Sequence, residues 1–328
     1  MKALASELRK YKHVFVVCDR NVEDFARQVA GIPAGTENKG MALLAITADE
    51  EHKNIDTVMQ ICRWLLEQGA DRDALVLAVG GGVTTDMAGF AACIYKRGVR
   101  YANVPTTLLS MVDAGIGGKT GVNLDGFKNF LGVIRQPEFT AIFPEALETL
   151  PEREFRSGLA EMLKTFIIKN PGHAYERAVA LFGAESRTEE LAELIQQAAA
   201  IKQEIVEKDE FESDLRRKLN LGHTWAHAIE WWQRQTGKTD LTHGEAVAIG
   251  MVQAAKYAEK LGIAKEEGLA ARIESDLRAC GLPVELPCPP EEILPAMMKD
   301  KKSEGGMINL VLPVKVGHVT VRKVKLEL

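Results

Sequence analysis

ALVLAVGGGVTTDMAGF, residues 74–90, is the stretch whose reading decides the fold. Its first six residues are an unbroken apolar run between Asp73 and three glycines. A strand apolar on both faces is one covered on both sides, as in a parallel sheet. Gly80, Gly81 and Gly82 then allow a tight turn and close approach of the backbone to a ligand, and the N-terminus of the following helix favours an anion there. Two readings of the turn stand side by side. It is a pyrophosphate cradle, or a plain strand-to-helix turn capped by Thr85 or Asp86. The dinucleotide fingerprint GxGxxG is not met, because Thr85 holds its third glycine position.

The same alternation extends outward. Residues 1–12 read as a short helix and 13–18 (HVFVVC) as a strand, which runs into Asp19-Arg20-Asn21-Val22. Open α/β sheets bind ligands at that end of their strands. Residues 24–30 read as helix, stopped by Gly31-Ile32-Pro33, and 42–46 (ALLAI) as strand. Over 54–68, Ile55, Val58, Ile61, Cys62 and Leu65 recur at helical spacing, and Gly69 closes the segment. Another strand, 101–104, leads to Pro105-Thr106-Thr107. Strand alternating with helix predicts an α/β domain with a Rossmann-like parallel sheet. After Pro151 the pattern becomes helical, over 156–169, 188–208, 215–233, 244–261 and 266–280, with strand signals only at 307–313 and 319–324. The expected organisation is an α/β domain over 1–150 and a mostly helical domain over 151–328.

Bulk composition narrows the function. A length of 328 residues suits two domains, and 46% hydrophobic with 27% charged residues is ordinary globular composition. The net charge of -5 gives no basic surface for nucleic acid. Five scattered cysteines without a CxxC pair argue against a disulfide framework or a thiolate metal site. The opening residues lack a signal-peptide core, and no uncharged apolar run reaches membrane-span length. The expectation is a cytoplasmic protein that binds neither membrane nor nucleic acid.

Two further stretches carry chemistry. Val112-Asp113-Ala114-Gly115-Ile116-Gly117-Gly118-Lys119-Thr120-Gly121-Val122-Asn123 and the later Lys128-Asn129 read as glycine-rich loops. Their lysines suit a phosphate, although any single one could be a solvated surface charge. Downstream, Glu161 and Lys164 stand three apart, His223 and His227 four apart, so each pair shares a helix face. His243 falls at the start of the next helix, where Thr242 and Glu245 have capping-box spacing. A carboxylate and imidazoles on helices form a donor set for a divalent ion, and His2Glu with one open position is an accepted catalytic zinc pattern. There is no HExxH, so a zinc protease is unsupported. Lys202, Glu212, Arg216 and Asn220 precede these histidines, and Arg216 and Asn220 would line up beneath His223 on a continuous helix.

Taken together, GGGVTTDMAGF, VPTTLL, VDAGIGGKTGVN, KNFLG, LPEREFRSGLAEMLK, LNLGHTWAHAIE, HGEAVAIGM and DKK resemble the 3-dehydroquinate synthase family, in order, from about residue 13 to 318. That family belongs to the sugar-phosphate cyclases, whose fold is shared with metal-dependent glycerol-type dehydrogenases. The resemblance implies NAD, a zinc or cobalt ion, and conversion of 3-deoxy-D-arabino-heptulosonate 7-phosphate to 3-dehydroquinate and phosphate. It implies Glu161, His223 and His243 as metal ligands. Asp19, Asn21, Glu50, Lys53, Gly81, Gly82, Val83, Thr84, Asp86, Thr106, Thr107, Asp113, Lys119, Lys128 and Thr149 would meet NAD. Arg97, Asp113, Asn129, Lys202, Arg216, Asn220 and Lys301 would meet substrate. Lys119, Lys164, Glu212, Arg216, Asn220 and His227 would serve catalysis, Glu212 and His227 in proton transfer. Arg97, in YKRG, would be lent to a neighbouring subunit, implying a homodimer. A sister cyclase on another sugar phosphate and an NAD-dependent polyol dehydrogenase remain the alternatives, with a non-catalytic nucleotide-binding protein as a third.

Overall fold

The structure, a computed structural model, describes residues 1–33, 41–182, 189–299 and 307–325. It divides into two compact units, Met1–Leu150 and Pro151–Leu328. In the first, β1 (Val14–Asp19), β2 (Met41–Ile46), β3 (Leu75–Gly80) and β4 (Arg100–Pro105) form one sheet in the order β2-β1-β3-β4, every pair parallel. All six residues of β3 are buried, as a strand covered on both faces requires. Side-chain alternation sorts the sheet into two cores. Val14, Val16, Cys18, Leu75, Leu77, Val79, Ala102 and Val104 pack with α1 (Lys2–Leu8) and α2 (Glu23–Ala30). Phe15, Val17, Val76, Ala78 and Tyr101 pack with α3 (Ile55–Glu67) and α4 (Gly82–Ile94) on the other face. The chain leaves β1 for β2 on one side and returns to β3 on the other. The carboxyl ends of β1 and β3 therefore flank the topological switch point, where such sheets bind ligands.

Two local expectations are overturned here. Helix α4 begins at Gly82 with Gly81 as its cap residue, so neither Thr85 nor Asp86 caps it. The Thr85 hydroxyl instead donates back to the Gly82 carbonyl at 3.1 Å. The later part of 112–123 and Lys128-Asn129, read as loops, fall instead in an antiparallel hairpin of β5 (Lys119–Leu124) and β6 (Phe127–Ile134). Asp125 and Gly126 close it with φ of 48° and 82°. Paired positive φ at Asp-Gly is the tight hairpin turn whose twist matches the strands, and that dipeptide was the available signal. β6 is exposed along most of its length, so it lacks the apolar alternation that marks a half-buried strand.

The second unit holds α5 (Glu152–Ile168), α6 (Ala174–Phe182), α7 (Glu189–Lys208), α8 (His223–Thr236), α9 (His243–Lys260), α10 (Leu269–Ala279), α11 (Pro290–Lys299) and the antiparallel hairpin of β7 (Met307–Lys315) and β8 (His318–Lys325). Helix α9 lies at its centre, packed by α5, α8, α10 and β7. Its alanines and glycines let neighbours approach closely. The helix expected over 215–233 is broken. A 3-10 turn spans Leu215–Asn220, and α8 starts only at His223. Gly222 adopts φ 79°, outside the helical region. It does so where it touches α9: a Cβ on Gly250 would lie 2.1 Å from the Gly222 carbonyl oxygen. No helix among the described residues is long and apolar enough to cross a membrane.

Candidate active site

Three helices of the second unit converge on one buried carboxylate. Glu161, on α5, is fully buried. His223 opens α8 and brings Nε2 to 3.7 Å from Glu161 Oε1. His243 opens α9 and brings Nε2 to 3.5 Å from the same oxygen. The start of α9 is set by a complete capping box, with Glu245 N donating to Thr242 Oγ1 at 3.3 Å and Thr242 N to Glu245 Oε2 at 2.7 Å. It is held to α5 by Gly244 N, which donates to Ser157 Oγ at 3.1 Å. Only glycine fits there, since a Cβ would stand 2.0 Å from the Ser157 carbonyl oxygen.

Each imidazole is oriented from its far side. His243 Nδ1 lies 3.3 Å from Glu230 Oε1, and His223 Nδ1 lies 3.2 Å from the Leu221 carbonyl oxygen. Both acceptors call for a proton on Nδ1, which leaves Nε2 of each ring turned to Glu161. Lys164, 1% exposed and one helical turn along α5, forms an ion pair with Glu161 Oε2. Burial pushes the Glu161 carboxyl up, but Lys164, His223 and His243 together hold it well below the usual carboxylate range. Burial, with Lys164 nearby, lowers His223 to about 3. Burial also works against the charged form of His243, yet Glu161 and Glu230 prevail and raise it to about 10.

These residues fit a divalent ion. One donor atom from each of Glu161, His223 and His243 lies within 4.8 Å of the others. Both Glu161 oxygens are buried, and beyond the ion pair with Lys164 neither has a well-formed hydrogen bond among the described residues. A buried carboxylate with lone pairs left over can take a further cation. Two imidazoles with one carboxylate is the donor set of an open zinc site.

The same unit holds further buried cations and a hydrogen-bonded loop. Lys202 and Arg216 are 7% and 2% exposed. Asn220 Nδ2 donates to Glu212 Oε1, and Glu212 sits at φ 59°. The His227 ring lies 5.5 Å from that of His223 and is exposed. Because 215–233 is not one helix, Arg216 and Asn220 do not line up beneath His223 as expected. Their loop is organised by Asp209, a residue the sequence reading passed over. Its carboxylate accepts from Ser213 N, Ser213 Oγ, Asp214 N and Arg216 N at 2.8 to 2.9 Å. Glu230 was passed over too, although it falls seven residues after His223, on the same helical face. Lys301 lies outside the described residues.

In the first unit several of the expected cofactor residues end or directly follow strands of the sheet. Asp19 ends β1 and accepts from Asn21 N at 2.9 Å. The turn Gly80-Gly81-Gly82 follows β3, and Thr106 N, after β4, donates to the Gly80 carbonyl at 2.9 Å. A Cβ on Gly81 would lie 3.0 Å from Thr107 Cγ2, and one on Gly82 2.9 Å from Ala114 Cβ, so the turn is a cradle without room for side chains. At the switch point of a parallel sheet, that cradle fits a dinucleotide. Val83 packs toward the core, and Thr84 is fully buried behind Gly80. The hairpin tip forms a second group. Lys53, 6% exposed, donates to Asp86 Oδ2 at 2.6 Å and to Asn129 Oδ1 at 2.5 Å. Glu50 accepts from Asn123 Nδ2 at 3.0 Å and pairs loosely with Lys128 at 3.6 Å. Asp113 is half-buried in the turn after Thr107, Lys119 is exposed at the start of β5, and Thr149 is exposed. Arg97 is exposed at φ 68°, between Lys96 at 49° and Gly98 at 113°.

Comparison with known proteins agrees across both units. The family model described as 3-dehydroquinate synthase N-terminal matches residues 43–157, and that described as 3-dehydroquinate synthase C-terminal matches 158–303. The chain is 42% identical over 283 residues to a 3-dehydroquinate synthase of Crocosphaera subtropica, covering 85% of this chain and 76% of the relative. It is 40% identical over 312 residues to a 3-dehydroquinate synthase of Acidithiobacillus ferrooxidans, covering 94% and 84%. Among solved structures it is similar to the 2-epi-5-epi-valiolone synthase ValA of Streptomyces hygroscopicus subsp. jinggangensis, solved with NAD+ and Zn2+ bound. That match has a TM-score of 0.86 and 31% identity, over 98% of this chain and 90% of the other. With family models matching 43–157 and 158–303, and relatives about 40% identical over most of its length, the chain belongs to the 3-dehydroquinate synthase family.

Proposed function

We propose that this protein is a 3-dehydroquinate synthase, a carbon–oxygen lyase of the shikimate pathway. It converts 3-deoxy-D-arabino-heptulosonate 7-phosphate to 3-dehydroquinate and phosphate. The observation that carries this reading is the family match across both units, joined to a buried Glu161–His223–His243 set with the donors of an open metal site. Residues 1–150 bind NAD along the sheet edge from Asp19 to Thr107, and residues 151–328 bind metal and substrate.

When bound, NAD takes up and later returns a hydride, while a zinc or cobalt ion polarises the oxygen of the alcohol being oxidised. Glu161, His223 and His243 would hold the ion. In the substrate, the new ketone acidifies the neighbouring C–H, and phosphate then leaves by β-elimination. After re-reduction of that ketone, the substrate ring opens and an intramolecular aldol step closes the carbocycle. The chain supplies orientation and charge. Lys164, Lys202 and Arg216 are buried cations, and a substrate bearing phosphate and carboxylate is the partner that suits them. By family resemblance Lys119, Asn129 and Lys301 would also meet substrate, and Lys301 lies outside the described residues. Glu212, steadied by Asn220, and the exposed His227 are the proton-transfer groups. The exposed, left-handed turn that presents Arg97 suits a homodimer in which each copy lends this arginine to the other. The ordinary soluble composition suits the cytoplasm.

The test is phosphate release from the heptulosonate phosphate with substoichiometric NAD. Many turnovers per NAD, no lasting NADH absorbance, and loss on chelation with rescue by zinc are expected. Lasting NADH without phosphate would identify a dehydrogenase instead. No reaction, with NAD and metal bound, would point to a sister cyclase.

A further inference from the structure

Glu230 lies on α8, two helical turns beyond His223 and on the same face. It is 5% exposed, and its Oε1 stands 3.3 Å from Nδ1 of His243 on the neighbouring helix α9. A carboxylate is placed at that depth only with partners that offset its desolvation. One helix thus carries a first metal ligand, His223, and the group that steadies a second, His243.

We propose that Glu230 is a positioning residue for the metal centre, which fixes the His243 ring by accepting its Nδ1–H and so aims Nε2 at the ion beside Glu161. This rests on the reading of the centre as a metal site. The two imidazoles are held unequally. His223 Nδ1 meets a neutral carbonyl, that of Leu221, at 3.2 Å, whereas His243 meets an anion. A carboxylate partner is the stronger acceptor and makes the opposite nitrogen the better donor.

The test compares Glu230→Gln and Glu230→Ala in the full chain. After metal removal, zinc affinity is measured by competition with a chromophoric chelator, and the visible spectrum is recorded after cobalt substitution. Glu230→Ala should weaken zinc binding by roughly 10- to 100-fold, the usual loss for such outer partners. Glu230→Gln keeps an acceptor and the side-chain shape but no charge, so its loss should be smaller, and it carries the test if the alanine variant fails to fold. Both should alter the cobalt spectrum, while KM for the sugar phosphate at saturating metal stays near the parent value. In a His243→Ala background, Glu230→Gln should cost nothing further, because its effect runs through that ring. Parent-like zinc affinity in either variant, or losses that simply add in the double variant, would overturn the proposal. A parent protein that binds no zinc would overturn the functional reading, and this inference with it.

Discussion

Replacing Gly244 by alanine should dismantle the metal centre without touching a ligand. The added Cβ would stand 2.0 Å from the Ser157 carbonyl oxygen, 2.5 Å from its carbon and 2.6 Å from Ser157 Cα. These are backbone atoms of α5, so no rotamer change relieves the clash. Ordinary contact begins at 3.4 Å, which requires the start of α9 to retreat by about 1.4 Å. His243 is the adjacent residue and moves with it. Metal–ligand distances tolerate only about 0.2 Å, so the imidazole is carried far outside bonding range. The same retreat stretches the 3.1 Å hydrogen bond from Gly244 N to Ser157 Oγ. Overpacking of this kind costs about 1–3 kcal/mol of stability. At roughly 2–4 °C per kcal/mol for a unit of this size, the metal-free variant should melt several degrees early. Zinc affinity, read by chelator competition, should fall by about 100-fold or more, equivalent to ~2.7 kcal/mol. Gly237→Ala is the control. Gly237 has φ 63° and nothing within 4 Å of a built Cβ, so alanine there strains the backbone but leaves the ligands in place. It should lose stability and keep zinc. Parent-like zinc affinity in Gly244→Ala would refute the claim that this contact sets the ligand geometry.

Three other outcomes are expected. His223→Ala should remove bound metal and turnover while circular dichroism stays close to the parent's, and full activity without metal would remove His223 from the ligand set. Zinc binding should strengthen as pH rises. In the metal-free protein His243 is raised from 6.5 to about 10, so a proton on it favours folding below 6.5, and that contribution is lost as pH climbs towards 10. Zinc must displace the same proton from Nε2, so binding should release about one proton between those limits. Titration calorimetry in buffers of different ionisation enthalpy measures this, and zinc binding without proton release would contradict it. Thr242→Ala removes the acceptor for Glu245 N and should cost about 1 kcal/mol in urea unfolding. An unchanged midpoint would mean that the cap does not contribute to the start of α9.

Much was legible in the sequence because it is encoded locally. ALVLAV announces a strand buried on both faces, and a run of such strands separated by helical spacing yields a parallel sheet whose carboxyl edge collects Asp19, Gly81 and Thr106. The Thr242 and Glu245 pair announces where α9 begins, and the spacing of His223 and His227 puts both on one side of α8. Family resemblance supplied the substrate and cofactors, which no periodicity could have done.

What tertiary structure alone decided is how separate helices meet. Helical spacing continues smoothly through 215–233, but Gly222 leaves the helical region where its carbonyl oxygen abuts Gly250, and Arg216 and Asn220 swing out of line with His223. Nothing near Gly222 in sequence specifies that contact. The hairpin of β5 and β6 escaped notice because an exposed strand carries no apolar alternation. Asp209 and Glu230 gained meaning only once the backbone of one loop and the ring of His243 were laid against them. Local patterns report which face of an element is apolar and where it starts. The meeting of Glu161, His223 and His243 depends instead on backbone-to-backbone approach at Gly244 and Gly250, a long-range steric fact that only the packed helices express.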